Sequence, residues 1–227
     1  MISIQIMRIR YPDIHIPQWK GSKLRGFFSN MDRDDPLLHQ HLTAGKVAYQ
    51  YPLIQYKVIR QHPMVVAAGD GIRHIYPHVL QNDFLYLDGF RYPCGRREIE
   101  LGEEWLGESR GTLHYRFLSP WFGLNQENFT RYMDLNTPDA KNQLLSKILI
   151  GNILSMAKRF GITVGKRLIV LPHLLERRDR FKGETILSFY GGFEVNFRLP
   201  NYLALGKSVS RGYGTYIQIR NAGGSDS

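Results

Sequence analysis

Residues 136–139 read Asn-Thr-Pro-Asp, the best-marked helix start in the chain. Thr137 can cap the first turn with its hydroxyl. Pro138 suits the first helical position, where no N–H is needed, and Asp139 suits the positive end of the helix dipole. Leu144, Leu145, Ile148, Leu149, Ile153, Met156 and Phe160 follow at helical spacing, and Gly161 is placed to end the run. The apolar stripe is core rather than a groove for a partner.

Strand patterns surround this helix. Leu113, Tyr115 and Phe117 alternate with polar residues over 112–118. Further strands are expected at 167–171, at 185–197 around Gly191-Gly192, and at 215–219, with the charged run 176–182 between the first two. The first half follows a similar order. Residues 3–10 alternate as a half-buried strand, 19–30 carry an amphipathic helix, and 47–50 and 53–60 are strand-like around Pro52. A short strand at 65–68, a helix at 70–81 containing Pro77, and a strand at 84–87 complete it. The stretch 89–110 is rich in glycine and charge, and a domain boundary is expected near 108–111. Each half therefore has the order β-α-β-β-(α)-β. The fold class is α+β, with two tandem ferredoxin-like (RRM-like) domains over 1–110 and 111–220 and a disordered tail at 221–227.

Bulk properties narrow the function. The chain has 227 residues, is 43% apolar and carries a formal net charge of +10. A balance this basic favours a polyanionic partner, although an acidic protein would also meet it. No run of about eighteen apolar residues marks a membrane span. No signal-peptide order opens the chain, and the single cysteine, Cys94, excludes an internal disulfide and a cysteine-rich zinc module. These features point to a cytoplasmic protein.

The densest functional signal lies near the C-terminus. Leu205-Gly206-Lys207-Ser208-Val209-Ser210-Arg211-Gly212-Tyr213-Gly214 holds glycines, hydroxyls and two cations together. Glycine allows close backbone approach, successive N–H groups can cradle an anion, and Lys207 and Arg211 add charge. The spacing is not that of a Walker loop, and no dinucleotide fingerprint is present. Upstream, His39, His41 and Lys46 fall in one short segment, followed by Tyr49 and Tyr51. Histidine suits proton transfer near neutral pH, and lysine suits charge stabilisation. A His-x-His pair can bind metal, but no third ligand has a matching spacing, so neither metal nor cofactor is expected.

Two of these places resemble the CRISPR-associated repeat-processing endoribonucleases of the RAMP superfamily, the Cas-six family. Gly206 to Gly214 matches that family's hydrophobic-Gly, five-residue spacer, Gly-hydrophobic-Gly pattern. His39-Gln-His41, upstream of the run from Tyr49 to Lys57, looks like the family's histidine-bearing segment after the first helix. Ala204 stands where the family often has a further glycine. The resemblance implies two ferredoxin-like domains, metal-independent cleavage of CRISPR precursor RNA within its repeats, and RNA held by Gly206, Lys207, Ser208, Ser210, Arg211, Gly212 and Gly214. Cleavage of this kind uses the RNA's own 2′-hydroxyl and leaves a 2′,3′-cyclic phosphate. On this expectation His41 is the general acid or base, His39 its partner or rival, and Lys46 stabilises the phosphorane; chain order does not choose between the histidines. The expected partner is CRISPR repeat RNA, with an effector complex as a further one, and the protein is a monomer or homodimer. The alternative is a non-catalytic RAMP-type subunit that holds guide RNA.

Overall fold

The computed structural model describes residues 1–32, 35–39, 50–181 and 183–219. It divides the chain into two units. One comprises Ser3–Glu104 with Ser208–Gly212; the other comprises Met1–Ile2, Trp105–Lys207 and the chain from Tyr213 onward.

The first unit opens with β1 (Ile2–Arg10), a 3-10 turn (Gln18–Lys20) and helix α1 (Gly21–Ser29). The short helix α2 (Pro36–His39), strands β2 (Ile54–Ile59) and β3 (His62–Ala68) and helix α3 (Gly71–Gln81) follow. The hairpin β4 (Phe84–Leu87) and β5 (Phe90–Pro93) precedes β6 (Glu98–Phe117), whose opening residues belong here. The strand order is β2-β3-β1-β6, which is the ferredoxin-like arrangement of a β-α-β-β-α-β chain. Both helices cover one face. Leu24 and Phe28 of α1 and Ile75 and Val79 of α3 meet Ile9, Tyr56, Val65 and Ala67 from the strands. Phe28 lies over Tyr56 with ring centres 5.5 Å apart. Each such fully buried side chain contributes about 1.5–3 kcal/mol.

The glycine- and charge-rich stretch expected to form a boundary is strand for most of its length. β5 begins after Asp88 and Gly89, which both have positive φ (57° and 83°), the geometry that a two-residue hairpin demands. The glutamates of early β6 answer the cations of β1. Arg8 pairs with Glu100 at 3.1 Å and with Glu104, and Arg10 meets Glu98 at 3.5 Å. β6 then runs on without a break, its register shifting between Glu108 and Leu113.

The second unit takes the rest of β6, helices α4 (Gln126–Asp134) and α5 (Pro138–Arg159), and strands β7 (Val170–Phe181), β8 (Glu184–Arg198) and β9 (Tyr216–Ile219). β6 pairs with β8 on one edge and β9 on the other, since His114 is opposite both Glu194 and Ile219. β7 pairs with β8 along its whole length. The order β9-β6-β8-β7 repeats the ferredoxin-like plan. α5 begins as its sequence foretells: Thr137 accepts a hydrogen bond from the Ala140 N–H at 3.2 Å, and Gly161 just beyond the helix has φ +73°. Leu145, Leu149, Ile153 and Met156 bury its core face, and Tyr115, Trp121, Phe189 and Phe193 are also buried. The charged run 176–182 is not a loop but lies largely within β7. Between β8 and β9 there is no second long helix; residues 199–215 form a loop with one 3-10 turn, Val209–Arg211. Among the described residues no helix is long and apolar enough to cross a membrane.

Candidate functional site

Helix α1 of the first unit is touched at one end by the tip of the glycine loop. A Cβ at Gly21 would stand 2.7 Å from the Arg211 carbonyl oxygen, and one at Gly212 would stand 2.8 Å from the Lys57 Cα. Gly212 also has φ +86°, a region that side-chain-bearing residues avoid. The tip, Ser208–Gly212, therefore lies against α1 and β2 at distances only glycine permits. Within it the Arg211 N–H donates to the Ser208 carbonyl at 2.9 Å and the Gly212 N–H to the Val209 carbonyl at 3.0 Å. Ser210 is buried and Arg211 half-buried.

Arg25 sits one helical turn along α1. Burial, then the positive charge of Arg211, pull its pKa below the ordinary guanidinium range, against a smaller opposing effect of Tyr56. Two cations that disfavour each other's charge are both relieved by an anion, so this place can hold a phosphate. Lys57, on β2 beneath the tip, is wholly buried; burial lowers its pKa well below the usual range, and its Nζ donates to the Gln55 side-chain oxygen at 2.7 Å.

The other loop residues belong to the second unit. Gly206 and Gly214 have φ +93° and +69°. A Cβ there would lie 2.6 Å from the Trp121 indole nitrogen and 2.0 Å from the Leu205 carbonyl oxygen, respectively. The Lys207 N–H donates to the Phe122 carbonyl at 2.9 Å, and the Gly214 N–H to the Pro120 carbonyl at 2.8 Å. The N–H groups of Lys207, Arg211, Gly212 and Gly214 are thus given to the protein's own carbonyls. The loop's two cations are the exposed Lys207 and the half-buried Arg211.

The far end of α1 meets the short helix α2. The Ser29 hydroxyl donates to the Leu38 carbonyl at 2.8 Å, and Leu38 is buried in the core. One Asp35 oxygen accepts the Leu37 N–H at 2.8 Å, and the other meets His74 of α3 at 2.6 Å. Burial works against the Asp35 charge, but the His74 contact and the Leu37 and Leu38 N–H groups hold its pKa below the usual carboxylate value. These contacts fix α2, whose last residue is His39. His41 and Lys46 lie outside the described residues, as do residues 47–49 of the strand expected at 47–50. Ser29 lies eight positions after Gly21, so the two ends of α1 are about 12 Å apart.

Sequence reasoning did not single out Asp35, Lys57 or His74. Asp35-Pro36 repeats the polar-residue-then-proline signal that marked Thr137-Pro138, so the first was open to discovery. His74 and Lys57 depend on contacts distant in sequence. Among the described residues no three His, Cys, Asp or Glu side chains are gathered so as to hold a metal ion.

The family described as Cas6b N-terminal domain matches residues 2–104, and that described as Cas6b C-terminal domain matches residues 107–219. An uncharacterized protein of Methanocaldococcus jannaschii is 43% identical over 133 residues, which is 57% of this chain and 87% of the relative. A solved structure described as Cas6b superposes with a TM-score of 0.91 at 32% identity, covering 96% of this chain and 100% of the other. Another, described as the CRISPR RNA processing endoribonuclease Cas6b, gives a TM-score of 0.79 at 31% identity over the same shares.

Proposed function

The chain belongs to the Cas6b family, and on that premise we propose that it is a CRISPR RNA processing endoribonuclease that cuts the precursor within its repeats. The observation that carries the proposal is that one helix, α1, packs against both α2, which ends at His39, and the loop tip that bears Arg211. The loop tip, with Arg211 beside Arg25, holds RNA phosphate, Lys207 meets RNA from the second unit, and the segment beyond α2 brings the chemistry.

In this reading the RNA's 2′-hydroxyl attacks the adjacent phosphate in line with the leaving 5′-oxygen, without a metal. His41 moves one proton and His39 is its partner or its rival. Lys46 stabilises the charge on the phosphorane, and the product carries a 2′,3′-cyclic phosphate. The anchoring of α2 through Asp35 and Leu38 supports this reading, because α2 leads directly into the segment that carries the histidines. The cell compartment implied is the cytoplasm, where the RNA is made.

The test is cleavage of a cognate repeat RNA in EDTA by wild type, His39→Ala and His41→Ala, with analysis of the product ends. Loss of about 100-fold or more in one or both variants, with cyclic phosphate ends in wild type, is the expected result. Tight binding of repeat RNA with no cutting by wild type would instead make the protein a holder of RNA.

A further inference from the structure

The first unit gathers three aromatic rings around one ammonium group. Lys20 ends the 3-10 turn that leads into α1 and is only 8% exposed. Its Nζ lies 5.6 Å from the centre of the Trp19 ring, 5.2 Å from Phe90 and 5.5 Å from Tyr92. It donates to the Tyr92 hydroxyl oxygen at 3.1 Å. Trp19 and Phe90 themselves are left 52% and 64% exposed. Phe90 and Tyr92 alternate along β5, so both project from one side of the hairpin. Lys23, one turn further along α1, pairs with Asp88 at the hairpin turn at 3.0 Å. The two lysines pin the hairpin beside α1 and hold the rings where they are.

Core packing does not account for this arrangement, because the two outer rings leave half or more of their surface in water. Docking of an apolar protein surface suits it poorly as well. A covering surface without acceptors would desolvate an ammonium that has three donors and, among the described residues, one acceptor in Tyr92. A nucleotide satisfies both halves of the patch. Its base offers a flat face to the exposed rings, and its carbonyls and phosphate accept from the lysine. The patch also adjoins the charged loop tip, since Gly21, in contact with the Arg211 carbonyl, is the next residue after Lys20.

We propose that Trp19, Phe90 and Lys20 form a stacking platform for unpaired nucleotides of RNA, at the N-terminal end of α1. The proposal rests on reading the chain as an RNA-processing enzyme. It assigns to the start of α1 and the β4–β5 hairpin the holding of single-stranded RNA by base faces rather than by sequence.

The experiment uses the full chain and a fluorescein-labelled oligouridine of about twelve nucleotides, with binding read by anisotropy. Trp19→Ala and Phe90→Ala are each expected to weaken binding about tenfold or more, and Trp19→Phe, which keeps a ring, by less than about threefold. Phe90→Leu keeps apolar bulk without a π face; it is expected to bind as weakly as Phe90→Ala while its thermal melt stays at the wild-type position. Wild-type affinity in both alanine variants, or in Phe90→Leu, overturns the platform, whatever else the patch binds. Wild-type cleavage of repeat RNA in EDTA separates the two levels. If wild type cuts and the variants bind oligouridine normally, the platform alone falls; if wild type neither cuts repeat RNA nor binds oligouridine, the enzyme reading falls with it.

Discussion

The two units follow one chain path and differ most in their last connection. Each runs strand, helix, two paired strands, connection, strand, and each orders its sheet in the same way. In the first unit the last connection contains α3, with Ile75 and Val79 buried against the sheet. In the second it is the glycine loop, whose tip groups with the first unit. A helix satisfies its own N–H and C=O groups and needs only one apolar face. A loop must find a partner for each buried polar group, and this one does so by pressing its backbone against strands and turns. The glycines are the condition for that approach.

The largest expected effect breaks the loop side of this comparison. Gly214 and Gly69 both have positive φ (+69° and +52°), so alanine is conformationally strained at either. At Gly69 a Cβ meets nothing within 4 Å, whereas at Gly214 it meets the Leu205 carbonyl oxygen at 2.0 Å. Gly69→Ala should cost about 1 kcal/mol, the left-handed penalty alone. Gly214→Ala should cost about 4 kcal/mol or more, because backbone must move. Urea unfolding of the two variants checks this. Equal costs would mean that the loop yields easily and is not the packed element described here.

That contrast also marks what the sequence could show. α5 was legible from end to end because its signals are local: Thr137, Pro138, Asp139 and Gly161 each act within one helical turn. The ferredoxin-like order was legible for the same reason, as a string of local periodicities. The loop was legible as a place but not as a structure. Its glycines answer to Trp121, Leu205 and Lys57, and only the fold brings the first and last of these to it. β6 was hidden by its own charges. Glu98, Glu100 and Glu104 break the apolar pattern of a strand, and their partners Arg8 and Arg10 lie some ninety residues earlier. The Asp88-Gly89 hairpin was a missed local signal. At the candidate chemistry, the sequence offers His39, His41 and Lys46; the structure adds how α2 is fixed, through Asp35, His74 and Leu38.

A second prediction sharpens the first unit's side. Asp35 is 10% exposed and joins α2 to α3 through His74. Its carboxyl is held below the ordinary value, so its contribution is present above the unfolded carboxylate pKa of 3.8 and is lost as pH falls through the lower folded value. Asp35→Asn should destabilise the protein by about 2 kcal/mol at neutral pH, the scale of a charge-assisted hydrogen bond. The difference from wild type should shrink toward zero as the pH falls through the lowered folded value, by this linkage. Unfolding curves across pH test it; a gap that stayed constant into acid would show that shape, not charge, is what Asp35 supplies. Because the second unit has a loop where α3 stands in the first, it offers no equivalent clasp, and its stability should carry no such acid-sensitive contribution from this position.

The smallest expected effect concerns the turn between β2 and β3, the hairpin on which the loop tip rests. Arg60 and Gln61 have φ of 51° and 69°, so two side-chain-bearing residues occupy the left-handed region side by side. The strands around them are paired in register from Ile54↔Ala67 to Ile59↔His62, which leaves the turn no other geometry. A two-residue hairpin with positive φ at both positions favours glycine or asparagine, and β4–β5 obeys that rule with Asp88-Gly89. The first unit therefore contains one relaxed and one strained version of the same turn. Gln61→Gly should relieve the strain and raise stability by up to about 1 kcal/mol, the left-handed penalty offset by the greater freedom of glycine in the unfolded chain. Gly89→Ala in the relaxed turn should lower it by a similar amount, since nothing lies within 4 Å of its Cβ position and φ alone opposes the substitution. Opposite shifts in the thermal midpoint are the expected pair. If Gln61→Gly also lowered the midpoint, the Gln61 side chain would be making a contribution larger than the strain it imposes, and the β2–β3 turn would be held by its side chains rather than by the strand register.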